Sequence, residues 1–85
     1  MAIERPPTLT LYSRNYCHLC EEMIEAVRGL QGLVRFEIAI VDVDTDPELE
    51  RRHGDKVPVL VHGERELCYY RLEPSAVTAY LAKIR

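Results

Sequence analysis

The chain has 85 residues, of which 47% are hydrophobic and 29% charged, a composition that fits one small globular domain and excludes collagen-like, coiled-coil and disordered classes. Eleven basic against fourteen acidic side chains leave a net charge of −3, the wrong sign for a nucleic-acid module that must neutralise phosphates. No apolar run approaches the roughly 18–20 residues of a membrane span, and the opening Met1-Ala2-Ile3-Glu4-Arg5-Pro6-Pro7 has no apolar signal core, so a cytoplasmic, monomeric protein without membrane or nucleic-acid partners is expected.

Thr8 to Tyr12 alternates apolar and polar side chains and reads as a strand. From about Cys17 to Leu30 the apolar positions Leu19, Met23, Ala26, Val27 and Leu30 fall on one helical stripe, with Gly32 placed to end it. Glu21, Glu22 and Glu25 lie in the first half of this helix, where its dipole favours negative charge. Val34, Phe36, Ile38 and Ile40 alternate, and the apolar run continues through Val43, predicting a second and more buried strand. Asp46-Pro47 supplies an N-cap and a first-turn proline for a short helix to about His53, with a capping box from Thr45 to Glu48 as the alternative start. Val57 to Val61 is a third strand, and His62-Gly63-Glu64-Arg65 turns into a fourth, about Glu66 to Arg71. Pro74 opens the last helix, with Val77, Tyr80, Leu81 and Ile84 on one face and Lys83 and Arg85 suited to its C-terminal end.

The order β-α-β-α-β-β-α starts with a βαβ unit, which requires parallel strands and a right-handed crossover. It ends with a hairpin and a helix, which add an antiparallel edge. A single-domain α/β fold over residues 1–85, with a four-stranded mixed sheet flanked by three helices, satisfies both halves.

Three cysteines without a signal segment do not describe a disulfide framework. Cys17-His18-Leu19-Cys20 sits where the first strand gives way to the first helix. A helix N-terminus offers unpaired N–H groups and roughly half a positive charge, so a thiolate at Cys17 is favoured and its pKa is expected to fall from about 8.5 toward 7. Three residues on, Cys20 is rotated by about 300° and displaced by about 4.5 Å, which lets both sulfurs meet on one face of the first turn. The chemistry this spacing serves is thiol–disulfide exchange, with Cys17 attacking and Cys20 resolving.

Other readings stay open from the sequence. The cysteine pair can also hold a metal or iron–sulfur group, with His53, His62 and Cys68 completing four ligands, although these are scattered over separate elements. Covalent haem attachment is excluded, because Glu21 follows Cys20 where histidine is demanded. His18 either tunes the Cys17 thiolate when charged or is simply solvated. His53 continues the Leu49 face as packing, His62 is a turn residue, and Cys68 is a buried strand residue or a third redox thiol. Arg14 meets a substrate carboxylate or assists the thiolate, or does neither. Lys56-Val57-Pro58 places a proline without an N–H at a strand entrance, leaving the Val57 backbone to pair with an extended substrate. The chain can also be a non-catalytic interaction module using that edge.

With both motifs in place, Thr8 to about Leu81 resembles the glutaredoxins, and in particular small glutaredoxin-like proteins carrying C-H-L-C-[DE], here Cys17-His18-Leu19-Cys20-Glu21. Val41 to Leu49 followed by Lys56-Val57-Pro58-Val59-Leu60 is also typical of them. The resemblance implies a thioredoxin fold, a cis peptide before Pro58, Cys17 as nucleophile and glutathione as a candidate reductant; separately, no bound cofactor and no metal are expected. It implies substrate contacts at Arg14, Val57 and Pro58, and reduction of protein or glutathione mixed disulfides. The chain departs from the pattern by carrying His18-Leu19 in place of Pro-Tyr. It also carries Cys68-Tyr69-Tyr70-Arg71-Leu72-Glu73 where glutaredoxins have a Gly-Gly turn and an Asp that hold the γ-glutamyl end of glutathione. The buried acid and the tryptophan of thioredoxins are missing too, since Leu9, Thr10 and Leu11 carry no carboxylate and the chain has no Trp.

Overall fold

The computed structural model describes residues 5–84. The expectations placed on residues 1–4 and on Arg85 lie outside them. The elements follow in the order β1 (Thr8–Ser13), α1 (His18–Gln31), β2 (Glu37–Asp42), α2 (Pro47–His53), β3 (Val59–His62), β4 (Arg65–Tyr69) and α3 (Pro74–Lys83), with 3-10 turns at Val43–Thr45 and Gly54–Lys56 on either side of α2.

The four strands form one sheet in the order β2-β1-β3-β4. β1 runs parallel to β2 from Thr8↔Glu37 to Ser13↔Asp42, and antiparallel to β3 from Thr10↔Val61 to Tyr12↔Val59. β3 and β4 form the antiparallel hairpin, with a register shift at Leu60/Val61. The two residues between His62 and Arg65 turn the chain, and Gly63 has φ +61°, the left-handed conformation that hairpin turns of this length demand.

Alternation along β1 sends Leu9 and Leu11 into one face of the sheet. There they meet Met23, Val27 and Leu30 of α1, Phe36, Leu60, Cys68, and Val77 and Leu81 of α3 in a single buried cluster. Fully burying side chains of this size contributes roughly 1.5–3 kcal/mol each. The buried stripe of α1 is Cys20, Met23, Val27 and Leu30, which corrects the sequence pattern at two positions. Leu19 is 39% exposed and Ala26 is also exposed, because the true stripe starts at the second cysteine and not at the leucine before it. β2 is likewise corrected: it is an edge strand with half-buried residues, and Ile40 is 42% exposed. The burial of its flanks, Phe36 and Val43, carried the apolar pattern there. On α3, Val77 and Leu81 face inward, whereas Ile84 follows the helix and is exposed.

Helix starts obey local capping rules. Asp46 caps α2 by accepting from the Glu48 N–H at 2.9 Å, with Pro47 in the first turn. Thr45 takes no part in a capping box, since its hydroxyl donates to the Asp42 carbonyl at 2.7 Å. No residue of α2 is fully buried. One of its contacts with the sheet is made by His53, whose ring stacks on Tyr12 with centroids 4.2 Å apart and planes 13° from parallel. Among the described residues, no helix is long and apolar enough to cross a membrane.

Two buried groups give measurable consequences. His53 Nδ1 is buried without a hydrogen-bond partner, and burial, helped by Arg52, pushes the imidazole pKa below its ordinary value. The fold therefore favours neutral His53, while the unfolded chain takes up a proton near pH 6.5. This contribution to stability is full above about pH 6.5 and falls as the pH drops through that value toward the folded pKa. Urea unfolding at pH 7 and pH 5 is expected to show a smaller acid-induced loss in His53→Phe than in wild type. Cys68 is 4% exposed, and burial pushes its thiol pKa up. In the native reduced protein, iodoacetamide is expected to modify Cys17 first and Cys68 only after denaturant is added, as read by peptide mass spectrometry.

Candidate active site

Three strand ends meet at one end of the sheet. β1 ends at Ser13, opposite Asp42 at the end of β2. β3 enters antiparallel with Val59 opposite Tyr12, so continuing the register by one residue places Pro58 beside Ser13. Four residues after Ser13 comes Cys17. The topology thus brings the cysteine motif and the Val57-Pro58 segment to the same end, although 40 residues separate Cys17 from Val57.

Cys17 is the N-cap of α1, with extended backbone (φ −115°, ψ 106°). Its sulfur accepts a hydrogen bond from the Cys20 N–H at 3.1 Å, and its carbonyl accepts from the Glu21 N–H at 3.1 Å. The sulfur therefore fills the role that a serine or aspartate oxygen plays at other helix starts. Cys17 and Cys20 are joined by a disulfide, with Cα atoms 5.2 Å apart. Cys17 is half-buried, while Cys20 is 2% exposed. One sulfur is reachable and the other is shielded, the asymmetry that an attacking and a resolving thiol require.

The neighbouring charged groups are engaged. Arg14 Nη2 lies 3.2 Å from Asp44 Oδ1 and also binds Glu50 Oε2, and these partners, Glu50 foremost, hold its guanidinium pKa above the ordinary value. It ties the end of β1 to α2 and the turn before it. Its Nε is buried without a partner. His18 is exposed, with its Nε2 3.3 Å from Glu22 Oε2, one turn along α1. Lys56 pairs with Glu66 at 2.8 Å, which raises its pKa, and sits 5.4 Å from the centroid of the Tyr69 ring.

The Val57–Pro58 peptide bond is cis, and Pro58 is buried. Val57 is extended (φ −63°, ψ 139°). Among the described residues, neither its N–H nor its carbonyl pairs with another backbone group. The Pro58 carbonyl accepts from the Tyr70 N–H at 2.8 Å, and the Tyr70 hydroxyl donates to the Asp55 carbonyl at 2.9 Å.

Sequence reasoning missed two residues here. Tyr16 (φ 59°) and Tyr70 (φ 66°) hold left-handed backbone, the only non-glycine residues among those described that do so. For a bulky side chain this costs about 1–2 kcal/mol. Tyr16 precedes Cys17 and is fully exposed, while Tyr70 follows β4 and is 44% exposed. The sharp reversal between β1 and α1 without a glycine was the available signal, but it did not say which residue would bend.

Among the described residues, no group of three or more His, Cys, Asp or Glu side chains could hold a metal ion. The scattered candidates have other partners: His53 stacks on Tyr12, His62 Nδ1 lies 2.5 Å from the Tyr80 hydroxyl, and Cys68 is in the core.

The chain is similar to the solution NMR structure of protein Ne2328 from Nitrosomonas europaea, at 40% identity and a TM-score of 0.80, covering 94% of this chain and 96% of that one. It is similar to the X-ray structure of protein XcR50 from X. campestris at 33% identity and a TM-score of 0.70, covering 88% and 96%. Thioredoxin 1 from Thermosipho africanus TCF52B is 15% identical with a TM-score of 0.62, covering 91% and 97%, a likeness of fold alone. The profile of the Glutaredoxin-like domain (DUF836) matches residues 8–82, and with the Cys17–Cys20 pair at the start of α1 in a thioredoxin fold, the chain belongs to this glutaredoxin-like family.

Proposed function

We propose that the protein is a thiol–disulfide oxidoreductase that reduces protein or glutathione mixed disulfides through Cys17 and Cys20. The observation that carries this is the Cys17 sulfur at the N-cap of α1, accepting from the Cys20 N–H at 3.1 Å. Negative charge on that sulfur is favoured by the amide and by the helix dipole, whereas a neutral thiol gains little.

The cycle starts from the dithiol. The Cys17 thiolate attacks one sulfur of a substrate disulfide, forming a Cys17–substrate disulfide and expelling the other substrate sulfur as a thiolate that takes a proton from solvent. Cys20 then loses its proton and attacks the Cys17 sulfur, closing the Cys17–Cys20 disulfide and releasing the second substrate thiol. Two electrons pass from the protein dithiol to the substrate. They are restored by two equivalents of a thiol reductant, for which glutathione is the small-molecule candidate. Val57 offers its free backbone groups to an extended substrate beside Cys17, with Pro58 shaping that edge. Arg14, bound to Asp44 and Glu50, positions α2 against the end of β1. The protein is proposed to act as a monomer in the cytoplasm, without a bound cofactor.

Replacing Cys20 with serine removes the resolving step and should leave substrates bound to Cys17. Incubating reduced Cys20→Ser with cell extract is expected to give covalent adducts that dithiothreitol releases, and Cys17→Ser should give none. Adducts formed equally by both variants, or by neither, would contradict the assignment.

A further inference from the structure

The end of the sheet that carries Cys17 is a surface more than a pocket. A small cavity that shares Tyr70 with this region, lined otherwise by Glu22, Met23, Ala26, Arg71 and Leu72, holds ≈170 Å³, against the roughly 300–1,000 Å³ of small-molecule sites. Arg14 and Lys56, the cations on the segments leading to Cys17 and Val57, are each held by carboxylates. A small anionic thiol compound therefore finds no free cation at these two positions.

What the surface does offer is backbone and aromatic area. The Val57 N–H and carbonyl are open among the described residues, and an extended chain can pair with them. Tyr70 spans this segment, bonded at its N–H to Pro58 and at its hydroxyl to Asp55, with Tyr69 edge-on to its ring at a centroid distance of 4.9 Å. Tyr16, directly before Cys17, is wholly exposed, and Leu19 beyond it is 39% exposed. Both Tyr16 and Tyr70 are held with positive φ, so each ring is presented at a cost in backbone strain that glycine would avoid. Exposed tyrosine rings before Cys17 and after β4, with the open backbone of Val57 just ahead of β3, suit a polypeptide partner.

We infer that Tyr16 and Tyr70 select extended polypeptide segments flanking a disulfide over small disulfides such as oxidised glutathione. This rests on the exchange chemistry proposed above for Cys17 and Cys20. Val57 pairs with the substrate backbone while the two rings cover side chains on either side of the reacting sulfur. The electron count is that of the same cycle, with the polypeptide disulfide reduced and the Cys17–Cys20 dithiol oxidised.

The test is a single-turnover measurement with reduced protein. Oxidation of Cys17 is followed by acid quench and mass spectrometry against a disulfide-linked peptide of about ten residues, oxidised glutathione and hydroxyethyl disulfide. Wild type is expected to react fastest with the peptide, and the peptide-to-glutathione rate ratio is expected to fall about tenfold in Tyr16→Gly and in Tyr70→Gly, the size of effect that losing one aromatic contact produces. Both variants relieve positive-φ strain, so melting temperature reports separately on folding, and Tyr70→Phe retains the ring if Tyr70→Gly does not fold. Faster reaction of wild type with glutathione disulfide, or ratios within twofold of wild type in both glycine variants, would overturn the selectivity. No reaction with any of the three, hydroxyethyl disulfide included, would instead overturn the exchange chemistry on which it rests.

Discussion

One hydrogen bond organises this molecule: the Cys20 N–H to the Cys17 sulfur, at the point where β1 hands the chain to α1. A helix start must find acceptors for its first N–H groups, and here the acceptor is the sulfur of the first cysteine of the pair. The same contact that begins the helix holds the sulfur where, once the disulfide is reduced, amide and dipole would favour a thiolate. Cys20, one turn in, is drawn into the buried stripe with Met23, Val27 and Leu30. The half-burial of Cys17 and the full burial of Cys20 follow from helical geometry without further machinery.

The rest of the fold fixes the position of that junction. β1 is bonded on both sides, to β2 and to β3, so its C-terminal end is held firmly, and Leu9 and Leu11 lock it into the core. The antiparallel entry of β3 brings Pro58 level with Ser13, which puts the open Val57 backbone at the same end of the sheet as Cys17. Arg14 adds a tie across the same end by bridging to Asp44 and Glu50. Exposed ion pairs of this kind contribute little to stability, so their value here is in placing α2 and occupying the guanidinium. Against this order stand Tyr16 and Tyr70, held in a backbone conformation that tyrosine disfavours. One of these residues directly precedes Cys17 and the other is bonded to Pro58, and backbone strain of this kind tends to cluster at functional sites.

Much of this was legible in the sequence because it rests on local rules. Asp46-Pro47 announced the start of α2, Gly63 the hairpin, and the C-x-x-C spacing the shared face of the first helical turn. The element order sufficed for the mixed sheet and, through the resemblance, for the thioredoxin fold. Legibility ended where burial depends on partners distant in the chain. Leu19 and Ile40 are as apolar as Met23 and Leu60, and only the packing of α1 and the edge position of β2 leave them exposed. For Arg14 the sequence left three roles open, a substrate carboxylate contact, help to the thiolate or neither, and its partners Asp44 and Glu50, 30 and 36 residues away, are visible only in the fold. The left-handed tyrosines were hidden for a different reason: composition marks where glycine permits such backbone, not where a tyrosine is forced into it.

The charge preference of the Cys17 sulfur is the most direct point of measurement. Thiolate absorbance of the reduced protein near 240 nm, titrated from pH 4 to pH 10 and compared with Cys17→Ser, isolates that one group. The expected result is an inflection clearly below the ordinary cysteine value of about 8.5 that disappears in Cys17→Ser. An inflection at or above about 8.5, or one that survives the substitution, would show that the start of α1 does not activate this sulfur.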